Sequence, residues 1–101
     1  MAYDPGTMDI ALSAAVGPDA DLLAELRLAF LESAERQVDL LARARCDANW
    51  LMAGLRLKGL CASFGAQDLA ALADEAIDSA PGDPAVQRRI AAVLAGYRTQ
   101  S

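Results

Sequence analysis

The sequence contains no histidine, and this absence removes several kinds of chemistry at once. Without an imidazole there is no histidine acid or base, no imidazole metal ligand and no phosphohistidine. Cys46 and Cys61 are too far apart for a CxxC redox or zinc pair, so we expect both to act as small apolar residues. The sequence also lacks a G-x-S-x-G motif, a phosphate-binding glycine loop and an acidic cluster with metal-ligand spacing. It therefore predicts no ordinary enzyme, no cofactor and no metal.

Positive charge and long apolar segments are scarce as well. The formal net charge is -5 and the pI is near 4.4, unlike the electropositive surface of a nucleic-acid-binding protein. No apolar segment approaches the roughly 20 residues that span a bilayer. The first ten residues lack the basic start and apolar run of a signal peptide. We therefore expect a cytoplasmic protein that binds another protein and neither nucleic acid nor a membrane.

The composition favours helices. Alanine and leucine supply much of the 54% hydrophobic content, β-branched and aromatic residues are few, and no stretch alternates apolar with polar residues. A length of 101 residues suits one domain with one core. We expect an all-α fold in which residues 1–101 form a single antiparallel up-down four-helix bundle with a short additional N-terminal helix.

Capping residues predict where the helices begin and end. Asp47 is expected to cap the third helix, Gly65 to end it in a left-handed conformation, and Asp83 to cap the last helix with Pro84 at its first position. The expected limits are, in chain order, Thr7 or Asp9 to about Val16, Asp19 to about Arg45, Asp47 to Phe64, Ala66 to Ser79, and Pro84 onward.

Apolar residues at steps of three and four predict the buried side of each main helix. In chain order, these residues are Leu22, Leu23, Leu26, Phe30, Ala34, Val38 and Leu41; Trp50, Ala53, Leu57, Leu60 and Phe64; Leu69, Leu72, Ala73 and Ala76; and Val86, Ile90, Val93, Leu94 and Tyr97. The acidic residues of the fourth helix, together with Gln67, are expected on its solvated side. Acid-before-base pairs such as Asp39 with Arg43 predict a solvated side for the second helix.

The third helix has a second apolar side where water is expected. We call this side the docking surface; its predicted members are Leu51, Gly54, Leu55, Arg56, Lys58, Gly59 and Ala62. Each glycine inside a helix costs about 1 kcal/mol relative to alanine, which is compatible with a partner that approaches the helix closely. Alternatively, a neighbouring helix or the N-terminal arm covers this side, and Leu51 and Leu55 are secondary core.

The sequence of this stretch resembles that of a known protein family. The residues that carry the resemblance are Leu55-Arg56-Leu57-Lys58-Gly59, then Phe64-Gly65-Ala66, then Leu69 and Leu72. They are similar to the signature of histidine phosphotransfer (HPt) domains of bacterial phosphorelays, which runs HxLKG, then Gly-Ala six residues after the first glycine, then spaced leucines. The long second helix fits the same plan.

The resemblance implies a role for each matching position. Lys58 matches the lysine beside the phosphoryl group, and Gly59 the small residue that lets a receiver domain come close. Leu57 matches an apolar anchor, and Gly65 the turn glycine that ends the active helix. Leu55 occupies the position of the phosphorylated histidine, and a hydrocarbon side chain has no lone pair with which to attack phosphorus.

These observations lead to three hypotheses. The first is an HPt-like protein that binds a receiver domain or a histidine kinase without carrying phosphate, as an inhibitor, adaptor or sequestering partner. The second is a structural homodimer that pairs through Leu51 and Leu55. The third is that the leucine was introduced or is a recent loss, and that the parent protein is a working phosphotransferase.

Overall fold

The computed structural model describes residues 5–99 of the chain, and the side chains from residue 8 onward. All regular secondary structure in that range is α-helical, so the all-α prediction is confirmed. The helices are α1 (Pro5–Val16), α2 (Ala20–Arg43), α3 (Asp47–Phe64), α4 (Gln67–Asp78) and α5 (Pro84–Arg98).

Three predicted helix boundaries are confirmed by their capping geometry. The Asp19 carboxylate accepts a hydrogen bond from the Leu22 backbone N–H at 3.1 Å at the start of α2. The Asp83 carboxylate accepts one from the Ala85 backbone N–H at 2.9 Å, with proline in the first turn of α5. Gly65 ends α3 with φ of 77°, a left-handed conformation that glycine adopts without steric cost.

Other boundaries differ from the prediction. Cys46, in an extended conformation, is the N-cap of α3, and no side chain caps this end; Asp47 is already the first helical residue. The predicted Asp47 cap is therefore wrong by one position. Its carboxylate still lies in the first turn, where the helix dipole favours a negative charge. The second helix ends at Arg43, before the predicted Arg45, and α4 is slightly shorter than predicted at both ends.

The N-terminal helix also starts earlier than predicted. Because α1 begins at Pro5, Thr7 and Asp9 lie inside the helix and neither is its N-cap. Asp9 instead forms an ion pair with Arg27 of α2, with 3.5 Å between Oδ1 and Nε. Met8 and Leu12 are buried, so α1 contributes side chains to the core.

One hydrophobic cluster contains buried residues from all five helices. At its centre the Phe30 ring lies 5.4 Å from the Phe64 ring and 5.8 Å from the Tyr97 ring, centroid to centroid, which joins α2 to α3 and α5. Most of the predicted core residues are buried or half-buried in this cluster. Leu22 is an exception, because it remains exposed in the first turn of α2, whereas Leu31 is buried and was not predicted.

The helix contacts place α3 between two neighbours. α3 packs against α2 and α4, α5 packs against α2 and α4, and α1 contacts α2 and α3. The Trp50 indole N–H donates a hydrogen bond to the Ala76 carbonyl oxygen at 2.7 Å, which links α3 to α4. The Tyr97 hydroxyl donates to the Asp68 carboxylate, which links α5 to α4. Asp68 is therefore half-buried, although it was predicted on the solvated side.

Candidate functional site

Most of the predicted docking surface is open to solvent. The side chains of Leu51 and Leu55 are 42% and 47% exposed, and Met52 beside them is 49% exposed. Ala62 is exposed, and a Cβ placed on Gly59 would meet no heavy atom within 4 Å. Neither α1 nor another described helix buries these leucines, so the alternative of a secondary core does not hold for them.

Gly54 is the exception, and its predicted place on the docking surface is wrong. It is buried, and a Cβ at this position would lie 2.8 Å from Cγ1 of Ile77 on α4. The Ala73 carbonyl oxygen would be 4.0 Å away. The glycine therefore allows α4 to pack closely on α3. At about 100° per residue, position 54 is only about 40° around the helix axis from Trp50, on the side that α4 covers.

The charge of Lys58 is directed towards α4. Its ammonium Nζ lies 2.8 Å from the Oδ1 atom of Asp74, and both side chains are exposed. Exposed ion pairs of this kind stabilise a fold by only about 0–1 kcal/mol. The ammonium is thus shared with a carboxylate of α4, a partner that the sequence analysis did not identify.

Arg56 lies at the opposite edge of the docking surface, towards α2. It lines a groove between α2 and α3 together with Met52 and Leu40. No carboxylate of the described residues forms an ion pair with Arg56. Sequence reasoning missed Met52 and Leu40. Met52 could have been found, because it lies about 60° around the helix from Leu55; Leu40 could not, because it is on another helix.

Among the described residues, no activated nucleophile lies at the docking surface. Leu55 is a hydrocarbon, and Cys61 on the same helix is fully buried. Burial, with a smaller contribution from the Asp68 carboxylate, raises the pKa of the Cys61 thiol to about 12. That thiol is therefore protonated and unreactive at neutral pH. Ser63 is exposed two turns further along α3, and within the described residues its hydroxyl has no hydrogen-bond partner that could activate it.

The described residues contain neither a metal-binding cluster nor a helix that could span a membrane. No group of three or more histidine, cysteine, aspartate or glutamate side chains from residue 8 to residue 99 is arranged to hold a metal ion. None of the helices between Pro5 and Arg98 combines the length and the apolar character that crossing a bilayer requires.

Comparison of the chain with protein-family models, with curated proteins and with solved structures found no match. The similarity to HPt domains therefore depends only on the residues of α3 and of the first turns of α4.

Proposed function

We propose that this protein is an HPt-like docking protein that binds a receiver domain or a histidine kinase and does not carry phosphate. The observation that carries the proposal is the exposure of Leu55, at 47%, at the position that the resemblance gives to the phosphoacceptor. The open backbone at Gly59, one turn further along α3, supports it. An inhibitor, an adaptor or a sequestering partner would each use such a surface.

The proposal includes a finer arrangement of the helices and a cellular location. We infer that α2 to α5 form an antiparallel up-down four-helix bundle, with α1 added to it. The short connections at residues 44–46 and 65–66 support this arrangement, since tight links favour antiparallel neighbours. We also infer that the protein is cytoplasmic, as expected for a partner of receiver domains and kinases.

The physical basis of docking is burial of apolar surface. Fully burying a leucine side chain contributes about 1.5–3 kcal/mol, so covering the exposed half of Leu51 and of Leu55 contributes about 1 kcal/mol each. Met52 adds a flexible side chain that adapts to an irregular partner. Gly59 brings the partner closer to the helix backbone than any other residue would. Replacing histidine by leucine thus removes the transfer chemistry and increases the apolar area.

A matched pair of leucine variants tests the docking function. We expect Leu55→Glu to weaken binding of the cognate receiver or kinase domain by at least about tenfold, because a carboxylate would have to be desolvated in the interface. Leu28→Glu is the control, since Leu28 of α2 is 55% exposed and lies outside the docking surface. NMR titration of the isotope-labelled protein with receiver and kinase domains from the source organism provides the measurement.

The expected result is a set of shift changes at Leu51, Leu55, Gly59 and Ala62, with the control variant binding normally. The docking function is rejected if no receiver or kinase domain changes these signals. Incubation with phosphorylated receivers and kinases tests the second half of the proposal: the protein should remain unlabelled, and a phosphorylated residue on α3 would contradict it.

A homodimer is the second candidate function, favoured by the continuous exposed apolar row of Leu51, Met52 and Leu55. A two-fold contact of α3 with α3 would bury this row on both copies. Light scattering at increasing concentration distinguishes the candidates. A dimer that Leu55→Glu dissociates and Leu28→Glu retains supports self-association, whereas a monomer at high concentration excludes it.

The Leu55→His variant tests whether the leucine replaced a working phosphoacceptor. Phosphoryl transfer from a cognate receiver to this variant would show that the rest of the surface is competent. Because Lys58 is held by Asp74, we expect Asp74→Asn in addition to increase the transfer rate, by freeing the ammonium to approach the phosphoryl group.

A further inference from the structure

A second surface lies beside the docking surface, in a groove between α2 and α3. We call it the basic groove. It has a volume of about 450 Å³ and is lined by Leu40, Arg43, Ala44, Asn49, Met52, Ala53 and Arg56. Its residues come from the last turns and the C-cap of α2 and from the stretch of α3 between Asn49 and Arg56, so it is formed only when these two helices pack together.

Part of the groove is apolar and incompletely covered. Leu40 is 41% exposed and Met52 is 49% exposed, on opposite walls. Ala53, which is buried, and Ala44, which is half-buried, lie between them. Aliphatic side chains of one partner would cover both walls at once. A single exposed leucine is common on protein surfaces and would not by itself indicate a partner.

The charges of the groove are unlike those of the whole chain. Its lining contains two arginines and no carboxylate, although the net charge of the protein is -5. Arg43 pairs with Asp39 at 2.7 Å, and the Arg45 guanidinium donates a hydrogen bond to the Arg43 carbonyl oxygen at 3.1 Å. Arg56 has neither an ion pair nor a hydrogen bond within the described residues. Of the two arginines that line the groove, only Arg56 is therefore left without a carboxylate of the protein itself, in the part of the chain that the structure describes.

We propose that the basic groove binds an acidic amphipathic helix of a partner protein. The apolar side of that helix would cover Leu40 and Met52, and one of its carboxylates would accept hydrogen bonds from Arg56. Guanidinium groups suit this role because their N–H donors match the two oxygens of a carboxylate. A nucleic acid is disfavoured, since the acidic remainder of the chain repels a polyphosphate.

The secondary structure of the groove walls favours a helical partner over an extended one. Both walls are α-helices, and neither presents the row of unpaired backbone groups that the edge of a sheet offers. An extended segment would find no sheet edge with which to pair its own backbone groups. A helix satisfies these groups internally and presents apolar residues at i, i+3, i+4 and i+7.

This inference does not rest on the proposed receiver or kinase binding. The two surfaces share Arg56 and meet at Met52, but an acidic helix in the groove leaves Leu51, Leu55 and Gly59 outside its apolar contact. A protein could occupy both surfaces, or either one alone.

Selection from a displayed library of random peptides of about 20 residues tests the proposal, since this length allows a stable bound helix. We expect the enriched peptides to combine aspartate or glutamate with aliphatic residues at helical spacing. A synthetic copy of an enriched peptide should shift the NMR signals of Leu40, Met52 and Arg56. Its affinity should fall as sodium chloride is added, because the arginine contacts are partly exposed.

Two charge-reversal variants locate the contact. Arg56→Glu should weaken peptide binding by at least about tenfold, because it replaces a charged hydrogen bond by a repulsion. Arg88→Glu is the matched control, since Arg88 is exposed on α5, which packs against α2 and α4. Its effect on affinity should be less than about twofold. Leu55→Glu should retain peptide binding, so loss of receiver binding in that variant separates the two surfaces.

Several results would overturn the proposal. They are enrichment of neutral or basic peptides, failure to enrich any peptide, shifts confined to other residues, and equal losses from Arg56→Glu and Arg88→Glu. Concentration-dependent shifts of Leu40 and Met52 in the protein alone would assign the groove to a second copy of the chain and would also reject an acidic partner helix.

Discussion

The two glycines inside α3 have opposite surroundings, and substituting each by alanine tests how this helix packs. Both substitutions remove the same backbone cost, since alanine is favoured over glycine by about 1 kcal/mol in a helix. At Gly59 the new methyl group would meet nothing within 4 Å, so we expect Gly59→Ala to increase the free energy of unfolding by about 0.5–1 kcal/mol.

At Gly54 the same methyl group would lie 2.8 Å from Cγ1 of Ile77, closer than real Cβ atoms approach another carbon. Overpacking of this kind costs about 1–3 kcal/mol. After the helix gain is included, Gly54→Ala should be neutral or should lower the free energy of unfolding by up to about 2 kcal/mol. The backbone term cancels in the difference between the two variants, which is therefore about 1–3 kcal/mol and reports the contact itself.

Urea denaturation measures this difference. The fluorescence of Trp50, the only tryptophan, follows unfolding because its side chain is buried. The transition midpoints should separate while the slopes stay equal. Ile77→Ala removes Cγ1 and should be less destabilising in the Gly54→Ala protein than in the wild type, with a coupling of about 0.5–3 kcal/mol. Equal stabilisation by both alanines, or no coupling to Ile77, would refute the close packing of α4 on α3.

The remaining predictions concern the core. Trp50→Phe should lower the free energy of unfolding by about 1–3 kcal/mol in thermal or urea melts, because it removes both buried volume and the hydrogen bond to α4; a neutral effect would contradict that bond. Tyr97→Phe should cost about 1–2 kcal/mol through loss of the hydrogen bond to Asp68, and the double variant with Asp68→Asn should be less destabilised than the sum of the single variants. At pH 8 a thiol reagent should label Cys46 rapidly and Cys61 only on unfolding. Burial raises the pKa of the Cys61 thiol from 9.0 to about 12, so the stabilisation that the neutral thiol gives the folded state is complete below pH 9.0. Between pH 9.0 and about 12 this stabilisation should fall by up to about 1.4 kcal/mol per pH unit. Cys61→Ala should remove this contribution to the pH dependence.

Local chemistry made several boundaries predictable. Asp19, Asp83 and Gly65 act within one turn of their own positions, through a cap or a left-handed residue, so no distant contact was needed to place them. The start of α3 was misplaced by one residue because Cys46 takes the extended cap conformation without a capping side chain. The capping preferences of side chains cannot locate a helix start that no side chain caps.

The candidate site was only partly predictable. The spacing of Leu51 and Leu55 placed them opposite the Trp50 side but left open whether another helix covers them, and the structure shows both exposed. The partners of Gly54 and Lys58 lie on α4, at Ile77 and Asp74, and periodicity within α3 cannot identify them. The basic groove was not predicted, because its two walls belong to different helices.

The sequence by itself determined the all-α class, the apolar side of each of the four main helices and the absence of histidine, because propensity, periodicity and side-chain chemistry are properties of single residues and of neighbours along the chain. Only the tertiary structure decided which of two interior glycines is needed for packing, where the Lys58 charge is held and which exposed apolar residues share a surface with Arg56. Each of these depends on the distance between residues of different helices, and that distance is set by how the helices pack around their common core.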